Sequence, residues 1–170
     1  IPDARIVIAG KGDNFDRYRR LMEDPAHFEV HDSWVSDDER SRLFQRAAVI
    51  VLPYTSASQS GVIPVAYSHA KPVVATRVGA LPEYVEHGRT GLLVPPRDER
   101  ALAEAIVSLL RDSHVRHKMG EAGRKKLQEE WAPSVVARAT AEVYECAIRD
   151  HIARKSSHDR RSERCNALSS

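Results

Sequence analysis

The sequence has few cysteines and no long apolar run, and both shortages narrow the classes of protein to which it can belong. Only two of its 170 residues are cysteine, Cys146 and Cys165, and they lack the spacing of metal ligands. We therefore expect no disulfide framework, and reduced thiols in a cytoplasmic protein. No run approaches the roughly 20 apolar residues of a membrane-spanning helix, and no segment has the pattern of a signal peptide.

Neither sign of charge is in large excess. The net charge is +2, which is too small to indicate nucleic-acid binding, and we expect no nucleic-acid partner. The composition, 42% hydrophobic and 29% charged, is typical of a soluble globular protein, and the length suffices for one domain with a substantial core. Because the chain begins Ile1-Pro2-Asp3 without a methionine, we expect it to be a piece of a longer polypeptide.

Short apolar runs alternate with helical patterns along most of the chain. The runs that predict strands cover residues 4–9, 28–30, 48–52, 72–76 and 92–94. Such alternation predicts an α/β fold, with one parallel sheet of about five strands and helices on both faces. We expect one domain over residues 1–155, and a disordered polar and basic tail over residues 156–170.

The segment 56–61 (SASQSG) stands where a strand gives way to a helix. Small residues at Ser60, Gly61 and Val62 let backbone N–H groups approach a phosphate, and the hydroxyls of Ser58 and Ser60 could donate as well. The alternative is that these residues only cap the helix. The residues alone favour neither interpretation.

Two further places in the sequence are candidate ligand sites. Gly79 and Glu83 lie in a turn after a strand, at the edge where parallel sheets bind ligands, although an exposed Glu is usually only solvated. Gly10-Lys11-Gly12 follows a strand, but the third glycine of a dinucleotide fingerprint would fall at Phe15. A plain strand–helix turn is the better interpretation there. No metal site is predicted.

The segment 149–164 carries six Lys or Arg against three acidic residues. This excess favours a solubilising tail, and peripheral contact with an anionic membrane surface is the alternative.

Several motifs together resemble one family. IVIAGKGD, VIVLPY, SQSGV and KPVVATRVGALPEYVEHGRTGLLVPP are similar, over about residues 5–144, to the C-terminal, donor-binding domain of glycosyltransferase family 4. These are the group 1 glycosyltransferases of GT-B fold. The resemblance implies a Rossmann-like half of such an enzyme, which moves a sugar from a nucleotide sugar to a glycan, a lipid-linked acceptor or a small molecule with retention of configuration.

The resemblance also implies site residues. It predicts the nucleotide base near Trp34 and Val35, and the diphosphate near Ser58, Ser60, Gly61 and Val62. Gly79 and Glu83 would line the same cleft. The nucleotide sugar is the substrate, and no cofactor or metal is implied.

The chain departs from the family pattern in two respects. Many members carry a pair of glutamates that would fall at Ala57 and Val65, so both carboxylates are absent here. The family's domain also begins with a strand and helix that supply an Arg and a Lys, and it faces an N-terminal acceptor domain. Neither is in this sequence, so we expect the 170 residues alone to be inactive.

Two alternatives remain open. The domain could be a degenerate nucleotide-binding or assembly module without activity, which the missing glutamates favour. It could also be another nucleotide-dependent Rossmann enzyme, such as an NAD-dependent oxidoreductase.

Overall fold

A computed structural model describes residue 1, residues 3–12 and residues 14–167, with only the backbone described from residue 152 onward. The chain divides into two compact units, Ile1–Lys125 and a second from Lys126 onward. The sequence predicts one domain over residues 1–155, and the extent of the domain stays a prediction.

The described residues of the first unit form five parallel strands in two sheets. The first sheet pairs β1 (Ile6–Ala9) with β2 (Phe28–His31). The second has the order β3–β4–β5, where β3 is Ile50–Leu52, β4 is Val73–Thr76 and β5 is Gly91–Val94. The parallel α/β fold class is thereby confirmed.

The prediction of one continuous sheet is wrong for the described residues, because their strand ladders form two separate sheets. β1 also differs from the fully buried strand that its apolar run predicts. Ile6 is 53% exposed and Val7 is 42% exposed, whereas all four residues of β4 are buried. The difference follows from position, since β4 lies between two strands while β1 pairs with β2 alone.

Helices lie between the strands and after the last of them. They are α1 (Asp16–Arg19), α2 (Asp37–Arg46), α3 (Val62–Ser68), α4 (Leu81–Tyr84), α5 (Glu99–Arg111), α6 (Ser113–Glu130) and α7 (Pro133–Ala167), with a 3₁₀ turn at Pro25–His27.

Two helix starts confirm the capping patterns in the sequence. The Ser36 hydroxyl accepts the Glu39 N–H at 3.2 Å, and the Asp98 carboxylate accepts the Ala101 N–H at 2.9 Å. α1 is shorter than predicted, because Leu21 and Met22 fall after its end.

The core of the first unit forms around β4. Val74 and Val94 pack with Leu109 of α5 and Met119 of α6. α3 adds a buried face at helical spacing, made of Ile63, Ala66 and Tyr67.

The second unit contains the whole of the long helix α7 and the last residues of α6. The disordered tail over residues 156–170 stays a prediction. The backbone of α7 is helical to Ala167, and residues 168–170 lie outside the described residues. Among the described helices, none has the length and apolar character needed to cross a membrane.

Candidate functional site

The carboxyl ends of β3 and β4 are joined by a buried threonine. Thr76, the last residue of β4, donates its hydroxyl to the Tyr54 carbonyl oxygen at 2.6 Å, and its Oγ1 lies 3.4 Å from the Leu52 carbonyl oxygen. Its side chain therefore fixes the point at which the loop after β3 begins. The sequence analysis missed Thr76, although a polar residue ending an apolar strand was a signal.

The side chain of Ser60 pairs with the backbone at the start of α3. It is buried, its Oγ accepts the Val62 N–H at 3.3 Å, and the same oxygen lies 3.4 Å from the Tyr54 hydroxyl. This is the geometry of the capping alternative. The Val62 amide is therefore already paired, and a direct role of Ser60 and Val62 toward a diphosphate stays a prediction.

Gly61 differs from its neighbours because it is exposed. No acceptor for its N–H is found among the described residues, and a Cβ built on it would meet nothing within 4 Å. Its backbone dihedrals are those of a right-handed helix, φ −66° and ψ −10°. An anion could therefore reach the Gly61 amide without displacing a side chain.

The turn after β4 lies directly against the loop after β3. Gly79 has φ +50°, and a Cβ there would lie 1.6 Å from the Ala57 carbonyl oxygen. The Ala80 N–H donates to the Ser58 carbonyl oxygen at 3.1 Å. Ser58 and Gly79 are thus brought together at the carboxyl edge of the sheet.

Glu83 follows this turn in the first turn of α4 and is exposed. Its N–H donates to the Ala80 carbonyl oxygen at 2.9 Å. The positions of the absent glutamates, Ala57 and Val65, are both half-buried and carry no charge. The Ala57 backbone instead forms the contact with Gly79.

The loop at residues 32–36, between β2 and α2, carries the residues predicted near a base. Trp34 is 85% exposed and Val35 is half-buried. The loop follows the first sheet, whereas Ser58 and Gly79 lie at the edge of the second. Among the described residues, no hydrogen bond, ion pair or ring contact joins this loop to those two residues.

Next to this loop lies a group of charged residues that we call the β2–α2 network: Glu29, His31, Glu39 and Arg46. His31 Nε2 lies 2.8 Å from Glu29 Oε1, and His31 Nδ1 lies 2.8 Å from Glu39 Oε1. Arg46 donates to both oxygens of Glu29, at 2.8 and 3.3 Å.

This network perturbs ionisation. The hydrogen bond from Arg46, followed by that from His31, lowers the pKa of Glu29 to about 2. The hydrogen bond with Glu29 raises the pKa of His31, and Glu39 adds to this effect. The sequence analysis missed the network, but a signal existed, because residues 29 and 31 share one face of a strand.

Gly10 and Gly12, the glycines of the dinucleotide alternative, lie in the turn between β1 and α1. The Gly10 N–H donates to the His31 carbonyl oxygen at 3.1 Å, which extends the pairing of β1 with β2. Among the described residues, no group of three His, Cys, Asp or Glu could hold a metal ion.

A cavity of about 320 Å³ lies away from these loops, before the first residues of β3 and β4. Two cationic side chains that line it, those of Lys71 and Arg116, already donate hydrogen bonds to carbonyl oxygens near helix ends. Lys71 donates to the Gln45 carbonyl oxygen at 2.9 Å, and Arg116 donates to the carbonyl oxygens of Leu109 and Leu110. These contacts satisfy the last carbonyls of α2 and α5, so the cavity is not a convincing anion site.

Comparisons with known proteins agree on one family. Residues 1–112 match the family model described as "Glycosyl transferases group 1". The chain is 35% identical over 155 residues to D-inositol 3-phosphate glycosyltransferase of Pseudarthrobacter chlorophenolicus, covering 88% of this chain and 36% of that protein.

Solved structures have the same fold. Sucrose-phosphate synthase from Thermosynechococcus elongatus superimposes with a TM-score of 0.76 at 25% identity, covering 87% of this chain and 39% of that one. Anabaena HepE in complex with UDP gives a TM-score of 0.73 at 19% identity, covering 86% of this chain and 42% of that one. The chain thus spans about two fifths of the length of these proteins.

Proposed function

Because the chain belongs to the group 1 glycosyltransferases, we propose that it is the donor-binding domain of an enzyme that moves a sugar from a nucleotide sugar to an acceptor. The observation that carries the proposal is the junction of two loops, where Gly79 and Ala80 meet Ala57 and Ser58 at the carboxyl edge of a parallel sheet. Ligands of open α/β sheets bind outside that edge.

The diphosphate of the donor binds beside Gly61 in this proposal. Support comes from its exposed N–H, for which the described residues offer no acceptor, and from the open space around its Cα. A neutral N–H donor favours the charge that develops on a leaving diphosphate. Ser60 then acts indirectly, by fixing the start of α3.

Trp34 supplies an exposed aromatic face for the nucleotide base. Aromatic side chains stack on bases of any sequence, because every base has a π-face. HepE, a protein of the same fold, was solved with UDP, which supports a nucleoside diphosphate as the bound part of the donor.

Transfer itself requires more than this chain in our proposal. The related proteins are about two and a half times as long, and the absent glutamates leave no carboxylate at Ala57 or Val65 for the donor. We therefore propose that the 170 residues bind the donor, and that a partner domain binds the acceptor. The cytoplasmic location and the peripheral membrane contact stay predictions.

Calorimetric titration with UDP, GDP, ADP and NAD tests the proposal. We expect one nucleoside diphosphate to bind and NAD not to bind. Tight binding of NAD without any nucleoside diphosphate would favour the oxidoreductase alternative instead.

Two glycine variants assign the site. Gly61→Val places a side chain in open space over the proposed diphosphate position and should weaken nucleotide binding about tenfold, equivalent to about 1.4 kcal/mol. Gly12→Val is the matched control, since a Cβ at Gly12 also meets nothing within 4 Å and the residue lies in the rival turn. If only the Gly12 variant lost nucleotide binding, the nucleotide would bind at the turn of residues 10–12 and not beside Gly61.

The non-enzyme alternative is a binding module, favoured by the uncharged Ala57 and Val65. A longer chain that includes the acceptor domain, assayed for transfer or hydrolysis with a panel of nucleotide sugars, separates the two. No turnover with any donor, together with retained nucleotide binding, would favour the module.

A further inference from the structure

A side-chain ion pair joins the two elements that flank the loop at residues 32–36. His31 is the last residue of β2, and Glu39 lies in the first turn of α2. Their side chains meet at 2.8 Å, so the ion pair spans the loop that carries Trp34. On the α2 side, Ser36 accepts the Glu39 N–H, which fixes the residue that pairs with His31.

His31 is held from both sides. Its Nε2 lies 2.8 Å from Glu29 and its Nδ1 lies 2.8 Å from Glu39. An ionised carboxylate only accepts hydrogen bonds, and a neutral imidazole has a single N–H. Both contacts are therefore hydrogen bonds only when the ring is an imidazolium.

The rest of the network keeps this arrangement in place. Arg46, at the end of α2, holds Glu29 through two hydrogen bonds, so the carboxylate cannot turn away from His31. On β1 the residue opposite His31 is Ala9, which carries no charge. Glu29, Glu39 and Arg46 are thus the charged groups that face His31 from β2 and α2.

We propose that His31 is a positioning residue, whose protonated ring braces the Trp34 loop in the shape that receives the nucleotide base. This rests on the proposed function, because it assumes that Trp34 contacts the base. When the ring loses its proton, one of the two hydrogen bonds is lost and the network gains a net negative charge. The loop then becomes less ordered, and the base contributes less to binding.

The test compares two probes on the intact chain: whichever of UDP, GDP and ADP binds, and inorganic pyrophosphate. The ratio of their affinities reports the contribution of the nucleoside, that is of the base together with its ribose. His31→Gln and Glu39→Ala should each lower this ratio about threefold, the range of a partly exposed ion pair, without changing pyrophosphate binding. Glu39→Ala removes the acceptor of the His31 Nδ1–H and keeps the Glu29–Arg46 pair, so it remains informative if the histidine variant folds poorly.

His27→Gln is the matched control. His27 lies just before β2, at the end away from the loop, and pairs with Asp24 at 3.4 Å. It should leave the affinity ratio unchanged.

A pH series separates positioning from a general structural role. In the unmodified chain the ratio should fall as pH rises through the raised pKa of His31, which the shift of its ring protons by NMR locates. In His31→Gln the ratio should be flat over the same range.

Trp34→Ala distinguishes the failure of this inference from the failure of its premise. If Trp34→Ala lowers the ratio while both brace variants and pH leave it unchanged, the brace is refuted and the base site stands. If Trp34→Ala leaves the ratio unchanged, the base lies elsewhere, and the brace falls together with the Trp34 base site, while binding of a nucleoside diphosphate would still support the donor-binding proposal.

Discussion

Gly79 is the residue at which the two loops of the candidate site touch. Its φ of +50° is a conformation that side chains disfavour, and a Cβ would lie 1.6 Å from the Ala57 carbonyl oxygen. Gly79→Ala should therefore cost about 2 kcal/mol or more of unfolding free energy, measured by urea denaturation.

The control for Gly79 is Gly61→Ala, at a position with φ −66° and open space. It should change stability by no more than about 0.5 kcal/mol. Equal losses in the two variants would contradict the close approach of the loops.

The side chain of Tyr67 is fully buried. Its hydroxyl donates to the Tyr84 carbonyl oxygen at 3.2 Å, and its oxygen lies 2.6 Å from Thr90 Oγ1. Tyr67→Phe removes both hydrogen bonds and should cost about 1–2 kcal/mol of unfolding free energy by denaturant titration.

Alkaline pH provides a second readout for Tyr67. Burial raises its pKa from 10.0 to about 12, so the folded state resists its ionisation. Stability should fall as pH rises from 10 toward 12, and Tyr67→Phe should reduce this dependence. An unchanged dependence in the variant would show that other groups cause it.

Glu29 should govern part of the stability at acid pH. Arg46 and His31 lower its pKa from 4.5 to about 2, so its contribution is complete above pH 4.5 and is lost as pH falls toward 2. Glu29→Gln should reduce the dependence of the denaturation midpoint on pH over that range. Glu104→Gln, which removes a more exposed ion pair on α5, is the control, and an equal reduction there would point to a general charge effect.

At the residue scale, prediction from sequence succeeded where one residue type has one local consequence. The sequence predicts a turn at Gly79, and the structure gives this residue a positive φ, while its place in a donor cleft stays a prediction. The network of Glu29, His31, Glu39 and Arg46 was missed, because it depends on the register of a strand against a helix. Short-range patterns do not specify that register.

At the level of elements, α6 depends on two glycines for its position in the first unit. A Cβ at Gly120 would lie 1.9 Å from the Ala70 carbonyl oxygen, and one at Gly123 would lie 2.4 Å from the Tyr67 ring. Gly-to-Ala changes inside a helix normally stabilise it by about 1 kcal/mol. Gly120→Ala should instead destabilise the chain by about 2 kcal/mol, measured by thermal and urea unfolding.

Lys118→Ala, at an exposed position of the same helix, is the control for Gly120. It should change stability by no more than about 0.5 kcal/mol. A neutral or stabilising effect of Gly120→Ala would show that α6 does not need this close approach.

Helix starts were the most predictable part of the elements. Ser36 and Asp98 cap α2 and α5 as their sequence patterns indicate, because a cap is a contact between residues two or three positions apart. β1 was the least predictable. Its apolar residues indicate a buried strand, but burial depends on which strands lie beside it, and β1 pairs with β2 alone.

At the scale of the whole molecule, the chain corresponds to one part of the longer group 1 glycosyltransferases that it matches. The family was predictable because its motifs are contiguous strings of residues that can be recognised without the fold, and comparison confirmed it. Roles at the site were less predictable, since the residues alone do not decide between a ligand role and a capping role for Ser60, whose hydroxyl accepts the Val62 N–H.

The measurement that tests the central claim most directly is a nucleotide titration of the ¹⁵N-labelled chain followed through its backbone amide signals. With UDP, GDP or ADP, the account predicts the largest shifts at residues 57–62 and 79–80, with Gly61 foremost. No shifts with any of the three nucleotides, or largest shifts at residues 10–12, would contradict it.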